Sequence, residues 1–172
     1  MKIFRLLFFS VLILFLLVTG ISLLIPSHIR ISKAINIAAT TDSVFSQIND
    51  PVKWRNWFPG LDSAKLFYES WMLKGVIIDD SSQQYIRIIE KKKGEVVTEL
   101  RAGSKKIVSG WKIIDFDRSD STTLQWYMDF RLRWYPWEKF ASLLFEKSYG
   151  VKMEQGLNNI KKIVEINRTS IN

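Results

Sequence analysis

The chain has 172 residues, a net charge of +8 and no cysteine, which excludes disulfides, catalytic thiols and thiolate metal sites. Four of its 25 basic residues lie in the first 33 positions, which hold no acidic residue, so the other 139 residues carry 21 basic and 17 acidic side chains. Because this balance of +4 is an ordinary surface charge, we expect no nucleic-acid partner.

The first element in the chain is an uncharged apolar segment at positions 6–25. A helix of twenty residues is about 30 Å long, which matches the hydrocarbon core of a bilayer. The segment is apolar on every side rather than along one stripe, so it does not read as a buried core helix. We therefore expect a membrane anchor over 1–27, one domain over 28–166 and a flexible tail over 167–172.

A cleaved secretory signal is the alternative for this segment. The apolar part of such a signal is about 7–15 residues, which is shorter than this one, although Val18-Thr19-Gly20 offers a place for a peptidase to cut. For an anchor, Lys2 and Arg5 favour a cytoplasmic N-terminus, and long C-terminal domains translocate largely regardless of charge. We expect a single-pass membrane protein with an extracytoplasmic domain.

The domain opens with an alternation typical of a half-buried strand. Ile29, Ile31, Ile35 and Ile37 occupy alternate positions, and Lys33 is the exception. The pattern predicts a first strand over about 29–39, with one lysine on its apolar face.

Two short helices are predicted next. The second begins at Asp50-Pro51, where the aspartate suits an N-cap and the proline suits the first helical position. Trp54, Trp57 and Phe58 then lie at i, i+3 and i+4, and Pro59-Gly60 ends the helix. The aromatic side chains therefore share one face.

Six further strands are predicted, at 65–70, 73–79, 84–90, 95–102, 106–116 and 122–133. Polar turn sequences separate them, including Lys93-Gly94 at the end of a run of three lysines and a final turn at 118–121. The last strand has the clearest alternation, with one apolar face formed by Leu124, Trp126, Met128, Phe130 and Leu132. This spacing is typical of an antiparallel meander.

A helical pattern then runs from Pro136 to about Val164, and we expect Gly150 to bend or break it. Apolar residues recur at helical spacing from Met153 onward, and Gly156 would let the helix lie close on a flat surface. A sheet with one apolar face needs a cover, and a long helix supplies one. We expect strand 29–39 to pair with strand 122–133, and helix 150–164 to cover the sheet.

Two stretches of the chain carry a family resemblance. Positions 25–59 include Asp50, Trp54 and Trp57 in an Asp-x3-Trp-x2-Trp arrangement, and positions 149–165 include Gly156-Leu157 followed by Ile160-Lys161. The chain resembles the START-like or SRPBCC superfamily, also described as polyketide cyclase/dehydrase-like. Membrane-anchored members of this type also begin with an apolar helix that ends in Pro-Ser.

The resemblance implies an α+β helix-grip fold, in which a curved antiparallel sheet of about seven strands wraps on a long C-terminal helix. It also implies a deep cavity between sheet and helix that holds a hydrophobic small molecule. The superfamily has no shared catalytic residues, so the resemblance specifies the fold better than the function.

No catalytic or metal-binding arrangement is recognisable in the sequence, and we expect no cofactor. The single histidine, His28, lies at the membrane edge, and Asp79-Asp80 reads as a solvated turn. Glu99 and Arg101 share one face of a strand, either as a cavity ion pair or as a surface pair, and the surface pair is the favoured interpretation.

The candidate ligand-binding residues are apolar side chains expected between the sheet and the long helix: Trp57, Phe58, Trp111, Trp126, Met128, Phe130, Met153 and Leu157. For each one alone, a place in a packed core is the favoured interpretation. As a group, the family resemblance favours the lining of a pocket, because small-molecule sites are mostly apolar with few polar groups.

Three functions remain open at this stage. The leading one is a membrane-tethered domain that binds a lipid or another hydrophobic small molecule without converting it. The alternatives are an enzyme of the cyclase, dehydratase or hydrolase type using the same cavity, and a protein-interaction module with a filled core. A buried ionisable pair in the cavity would indicate the enzyme, and the absence of a cavity would indicate the module.

Overall fold

The computed structural model describes residues 2–114 and 121–169, which form one antiparallel sheet and five helices. The helices are α1 (Lys2–Ser22), α2 (Thr41–Asn49), α3 (Pro51–Trp57), α4 (Pro136–Ser142) and α5 (Phe145–Thr169). The strands are β1 (His28–Ile37), β2 (Lys65–Glu69), β3 (Met72–Asp79), β4 (Gln84–Lys92), β5 (Glu95–Ala102), β6 (Lys105–Ile113) and β7 (Thr122–Arg131).

The sheet has seven strands in the order β1-β7-β6-β5-β4-β3-β2, and α5 covers its concave face. The first strand pairs with the last, and Ile31 lies opposite Met128. On the helix, Leu157 and Ile160 are 2% and 0% exposed. The predicted helix-grip architecture is confirmed, because the apolar faces of both strands and of the helix bury one another.

The strand positions agree with the sequence pattern to within a few residues. The largest difference is at β6, which ends at Ile113 although the alternation predicted strand as far as Phe116. Residues 115–120, with most of the turn predicted at 118–121, lie outside the described residues. Asp50 caps α3 as expected and accepts a hydrogen bond from the Val52 N–H at 3.0 Å.

The register defines two ends of the sheet. At the end where β1 begins, His28 lies opposite Arg131, and the β3–β4 and β5–β6 turns lie at the same end. We call this the proximal end. The Lys93-Gly94 turn lies at the opposite end, where Glu95 pairs with Lys112. The lysine run before that turn is therefore remote from the end at which α1 joins the domain.

The break in the C-terminal helical region was placed wrongly by the sequence. The chain turns at Leu143-Leu144, between α4 and α5, whereas Gly150 lies inside α5. A Cβ at Gly150 would lie 3.1 Å from Cε of Lys33. The Lys33 ammonium pairs with Glu146 at 2.6 Å and Glu154 at 2.9 Å, one on each side of this glycine. The lysine of β1 therefore passes beside this glycine, and the helix continues through it without interruption.

The two ends of the chain differ from the expected lengths. The first helix ends at Ser22, three residues before the end of the uncharged segment. It is long and apolar enough to cross a membrane. The last helix continues to Thr169 and includes the first three residues of the expected tail, whereas 170–172 lie outside the described residues.

The outer face of β7, opposite the cavity side, is partly covered by side chains. Tyr127 is 7% exposed, and its ring occupies the space beside Gly110, where a Cβ would lie 2.5 Å from the phenol oxygen. The phenol donates to Glu95 at 2.9 Å, and Arg30 lies 4.7 Å above the ring. Arg30 also donates to Asp129, and this hydrogen bond holds the pKa of that carboxyl below its usual value.

Candidate functional site

A cavity of about 310 Å³ lies between α5, the sheet and the segment that follows α3. Its walls are buried residues from the sheet, from α5 and from the segment after α3, namely Leu61, Ile86, Thr98, Ser109, Trp126, Met128 and Met153. More accessible residues mark its rim: Gly60, Ile78, Gln84, Ala102 and Lys152. Because Ile78, Gln84 and Ala102 adjoin the β3–β4 and β5–β6 turns, the cavity opens at the proximal end of the sheet.

The polar groups inside the cavity bond to one another or to the backbone. The Thr98 hydroxyl donates to the Ser109 carbonyl at 3.1 Å, and the Ser109 hydroxyl donates to the Tyr127 carbonyl at 3.0 Å. The Trp126 indole N–H donates to the Ser109 hydroxyl at 2.9 Å. With these groups satisfied, the walls present mainly apolar surface to a ligand.

Polar chemistry is concentrated at the rim. Tyr149 is half-buried, burial raises the pKa of its phenol, and the phenol makes no hydrogen bond to another described residue. Lys152, one turn further along α5, is exposed at the cavity mouth. None of the described lining residues is an aspartate, a glutamate or a histidine. The site can therefore hold an apolar body and offer a hydroxyl and an ammonium to its polar end.

The eight residues predicted from the sequence fall into three groups. Phe58, Trp126, Met128 and Met153 line the cavity. Phe130 borders a second depression, described below. The other three pack in the core beside the cavity: Trp57, Trp111 and Leu157, which are 1%, 0% and 2% exposed. That a ligand contacts the lining residues stays a prediction.

An aromatic cluster fills the space between α3 and the sheet. The ring centroids are 5.2 Å apart for Trp54 and Trp111, 5.3 Å for Trp57 and Trp111, and 4.9 Å for Phe58 and Trp126. Such tilted and edge-on arrangements suit the quadrupoles of aromatic rings. Phe58 and Trp126 of this cluster also line the cavity, so the core and the pocket share residues.

The predicted close approach of α5 is confirmed at Gly156. A Cβ at this position would lie 2.7 Å from the Trp126 indole ring and 3.2 Å from Pro59. The flat surface on which the helix lies is therefore the indole of Trp126, one wall of the cavity. The helix can approach this closely only where a residue has no side chain.

Sequence reasoning missed the contribution of the central strands, which supply Ile86, Thr98, Leu100 and Ser109. The alternation was present, because Val96, Thr98 and Leu100 share the inner face of β5. Val97 on the other face is also apolar and only 8% exposed, so the pattern did not indicate which face is inward.

The charged candidates lie away from the cavity. Glu99 pairs with Arg87 at 3.1 Å, and Arg101 donates to the Tyr85 hydroxyl at 3.4 Å, both on the outer face of the sheet. His28 lies 3.5 Å from Asp129, also on the outer face. Within the described residues, no cluster of three or more histidine, aspartate or glutamate side chains is placed to hold a metal ion.

The curved sheet, the covering helix and the cavity between them define a helix-grip protein. The chain belongs to the family described as polyketide cyclase / dehydrase and lipid transport, whose sequence model matches residues 28–165. No curated protein matches the chain significantly.

Several solved structures share the fold. Zhui aromatase/cyclase from Streptomyces sp. R1128 has a TM-score of 0.61 at 15% identity, covering 80% of this chain and 94% of that chain. Norcoclaurine synthase from Thalictrum flavum has a TM-score of 0.61 at 12% identity, covering 82% and 96%. A protein from Thermobifida fusca has a TM-score of 0.61 at 14% identity, covering 78% and 92%. At these identities the likeness concerns the fold alone.

Proposed function

We propose that this domain binds a lipid or another hydrophobic small molecule, without converting it, and that α1 tethers the domain to a membrane. The observation that carries the binding function is the cavity of about 310 Å³, whose buried polar groups are already satisfied within the protein. An apolar ligand would lose no hydrogen bonds there and would gain apolar burial.

The size of the cavity narrows the class of ligand. Ligand pockets span about 300–1,000 Å³, whereas close-packed cores leave few voids larger than a water molecule. The cavity lies at the lower limit of that range, so it suits one acyl chain or a small ring system rather than a complete diacyl lipid. Its volume also argues against an interaction module with a filled core.

The rim favours a ligand with one polar end. Lys152 offers an ammonium, and Tyr149 offers a phenol that can donate a hydrogen bond at neutral pH. Burial raises the pKa of this phenol. A carboxylate or a phosphate at the mouth of the cavity would be compatible with both groups. A fatty acid is the simplest molecule with this combination of an apolar chain and an anionic end.

Catalysis in the same cavity is the alternative function. It is supported by the family description, which includes cyclases and dehydrases, and by the fold shared with an aromatase/cyclase and with norcoclaurine synthase. Tyr149 would be the proton donor. General acid–base catalysis also needs a partner poised near neutral pH, and the described lining offers no carboxylate or imidazole for that role.

The binding function predicts a specific effect of closing the mouth of the cavity. The Ala102→Trp variant places an indole at the rim, and we expect labelling of the domain by a photoreactive fatty acid to fall at least severalfold. The measurement is mass-spectrometric mapping of labelled peptides from the full chain in membranes. Ala34→Trp is the matched control, because Ala34 is exposed on the outer face of β1.

The peptides of α1 supply an internal control for this experiment, because they should be labelled equally in every variant. Equal labelling of the domain in wild type and Ala102→Trp would contradict binding in the cavity. Conversion of the fatty acid, or of a polyketide-like aromatic substrate, by the wild-type chain would instead support the enzymatic alternative.

The tether is supported by the length and composition of α1 and by the exposure of its side chains. Lys2 and Arg5 favour a cytoplasmic N-terminus, with the domain on the opposite side. We expect the full chain to stay with membranes through high-salt and carbonate extraction. Protease added to the extracytoplasmic side should digest the domain. Recovery of a soluble protein beginning near Ile21 would show a cleaved signal instead.

A further inference from the structure

Helix α4 buries two polar side chains and exposes most of its apolar ones. Lys139 and Ser142 are 3% and 4% exposed, whereas Trp137 is 62% exposed and Phe140 is 36% exposed. Leu144, one turn further on, is 65% exposed. A helix on a water-facing surface shows the reverse pattern. The pattern indicates that this side of the domain contacts something other than water.

The buried face of α4 is fixed to the segment that joins α1 to β1. The Lys139 ammonium donates to the Ile25 carbonyl at 2.6 Å and to the Ser27 hydroxyl at 2.8 Å. The Leu132 N–H donates to the Ser27 carbonyl at 2.7 Å. Because α1 ends at Ser22, the two Lys139 bonds hold α4 close to the end of the proposed membrane-spanning helix. When α1 spans a bilayer, α4 therefore lies at the level of the lipid headgroups.

A basic depression of about 410 Å³ lies beside α4, at the proximal end of the sheet. Its lining includes four basic residues, Lys105, Lys106, Arg131 and Arg133, and one acidic residue, Glu138. The Glu138 carboxylate accepts a hydrogen bond from the backbone N–H of Arg133 at 3.0 Å. The excess of positive charge suits the phosphates of anionic lipids.

We propose that α4 and its flanking residues dock on an anionic lipid bilayer. The docking surface consists of the exposed residues Trp134, Trp137, Phe140, Leu143 and Leu144. These apolar and aromatic side chains enter the interfacial layer, and the basic depression receives a lipid phosphate. Tryptophan beside basic residues is the composition that membrane interfaces favour. The proposal rests on the tether proposed above. The attachment of α4 beside the end of α1, together with the charge of the depression, selects a bilayer over a protein partner.

Docking also connects the membrane with the proposed ligand. Tyr149 lines both the basic depression and the cavity, and the cavity opens at the same end of the sheet. The aromatic residues between them are in contact, with Phe130 and Tyr149 ring centroids 4.9 Å apart. In a domain docked in this orientation, the mouth of the cavity lies next to the bilayer, and an apolar ligand would come from that bilayer.

The absence of cysteine allows a direct test with one introduced cysteine at a time. Leu144→Cys carries an environment-sensitive fluorophore on the docking surface. Met72→Cys is the matched control, because Met72 is 57% exposed and lies at the opposite end of the sheet. The full chain is placed in vesicles of phosphatidylcholine, with or without phosphatidylglycerol. The readouts are the emission wavelength and quenching by lipids that carry a shallow nitroxide.

We expect a blue-shifted emission and strong nitroxide quenching for the Leu144 probe, greater with phosphatidylglycerol, and neither effect for the Met72 probe. Equal quenching of the two probes would overturn the proposal. So would a Leu144 probe that is shielded from water but not quenched by nitroxide lipids, since a protein partner would then cover the surface. Vesicle flotation separates the two proposals: a chain that does not float removes the tether and the docking together, whereas a floating chain with a water-exposed Leu144 probe removes docking alone.

The charge contribution is tested with Lys105→Gln and Arg133→Gln in the Leu144→Cys background. Each neutralisation is expected to lower the phosphatidylglycerol-dependent docking equilibrium about fivefold. Lys112→Gln is the control, because Lys112 is exposed on the outer face of β6, near the opposite end of the sheet. If Lys112→Gln has the same effect as the other two, attraction is a property of the overall charge, and the basic depression has no specific role.

Discussion

Replacing Gly156 with alanine is expected to destabilise the domain by about 1–3 kcal/mol, the usual cost of an overpacked contact. Alanine is intrinsically the better helix former by about 1 kcal/mol, so helix propensity alone predicts the opposite sign. The added Cβ would lie 2.7 Å from the Trp126 ring, and the ring is held by its hydrogen bond to Ser109. Either α5 moves away from the sheet or the indole leaves its site.

A second glycine in α5 supplies the matched control. In Gly150→Ala the new Cβ meets Cε of Lys33 at 3.1 Å and the Glu146 carboxylate at 3.3 Å, and both are the far ends of flexible side chains. We expect this variant to be neutral or to gain up to about 1 kcal/mol from helix propensity. Pulse proteolysis of the full chain in increasing urea measures both variants. Equal effects of the two substitutions would contradict the close packing of α5 on Trp126.

Local patterns in the sequence predicted most of the fold. The alternation of Trp126, Met128 and Phe130 corresponds to inward positions of β7, and all three are at most 5% exposed. The close packing predicted at Gly156 is confirmed and the helix break predicted at Gly150 is wrong, although both positions lie in one helix. The difference depends on what lies opposite each glycine, an indole ring in one case and a lysine chain in the other. Local sequence does not contain that information.

The candidate site was less predictable than the fold, because the register of the paired strands determines which residues form the cavity walls. The sequence pattern around an aromatic residue is the same whether the residue packs in the core, as Trp111 does, or borders the cavity, as Trp126 does. The small polar residues Thr98 and Ser109 gave no signal of their own. Their place in the cavity follows from the pairing of β5 with β6, where they lie opposite each other.

The polar face of α4 shows a different limit of sequence reasoning. A lysine in a predicted helix is normally assigned to solvent, yet Lys139 is 3% exposed. It is buried because the carbonyl of Ile25, far away in sequence, lies within hydrogen-bond distance. With Lys139 on the buried face of α4, Trp137 lies on the exposed face, where sequence patterns place few aromatic residues.

Trp126→Ala is expected to produce two effects that are measured separately. Because Trp126 is 2% exposed and lies against Gly156, we expect a loss of stability of about 3–5 kcal/mol, typical of large-to-small changes in a core. Because the same ring forms a wall of the cavity, we also expect altered labelling by the photoreactive fatty acid. Removal of the indole enlarges the space, so longer or bulkier probes should gain relative to short ones.

Trp54→Ala is the control that separates packing from binding. Trp54 is 0% exposed, contacts Trp111 and donates its indole N–H to the Ile48 carbonyl at 2.9 Å, but it does not line the cavity. We expect a comparable loss of stability, with the preference among probes of different length unchanged while the domain stays folded. If the two variants shift probe preference equally, the Trp126 wall does not shape ligand selection. If only Trp126→Ala shifts the probe preference, this tryptophan has two roles: it packs against α5, and it limits the length of the ligand.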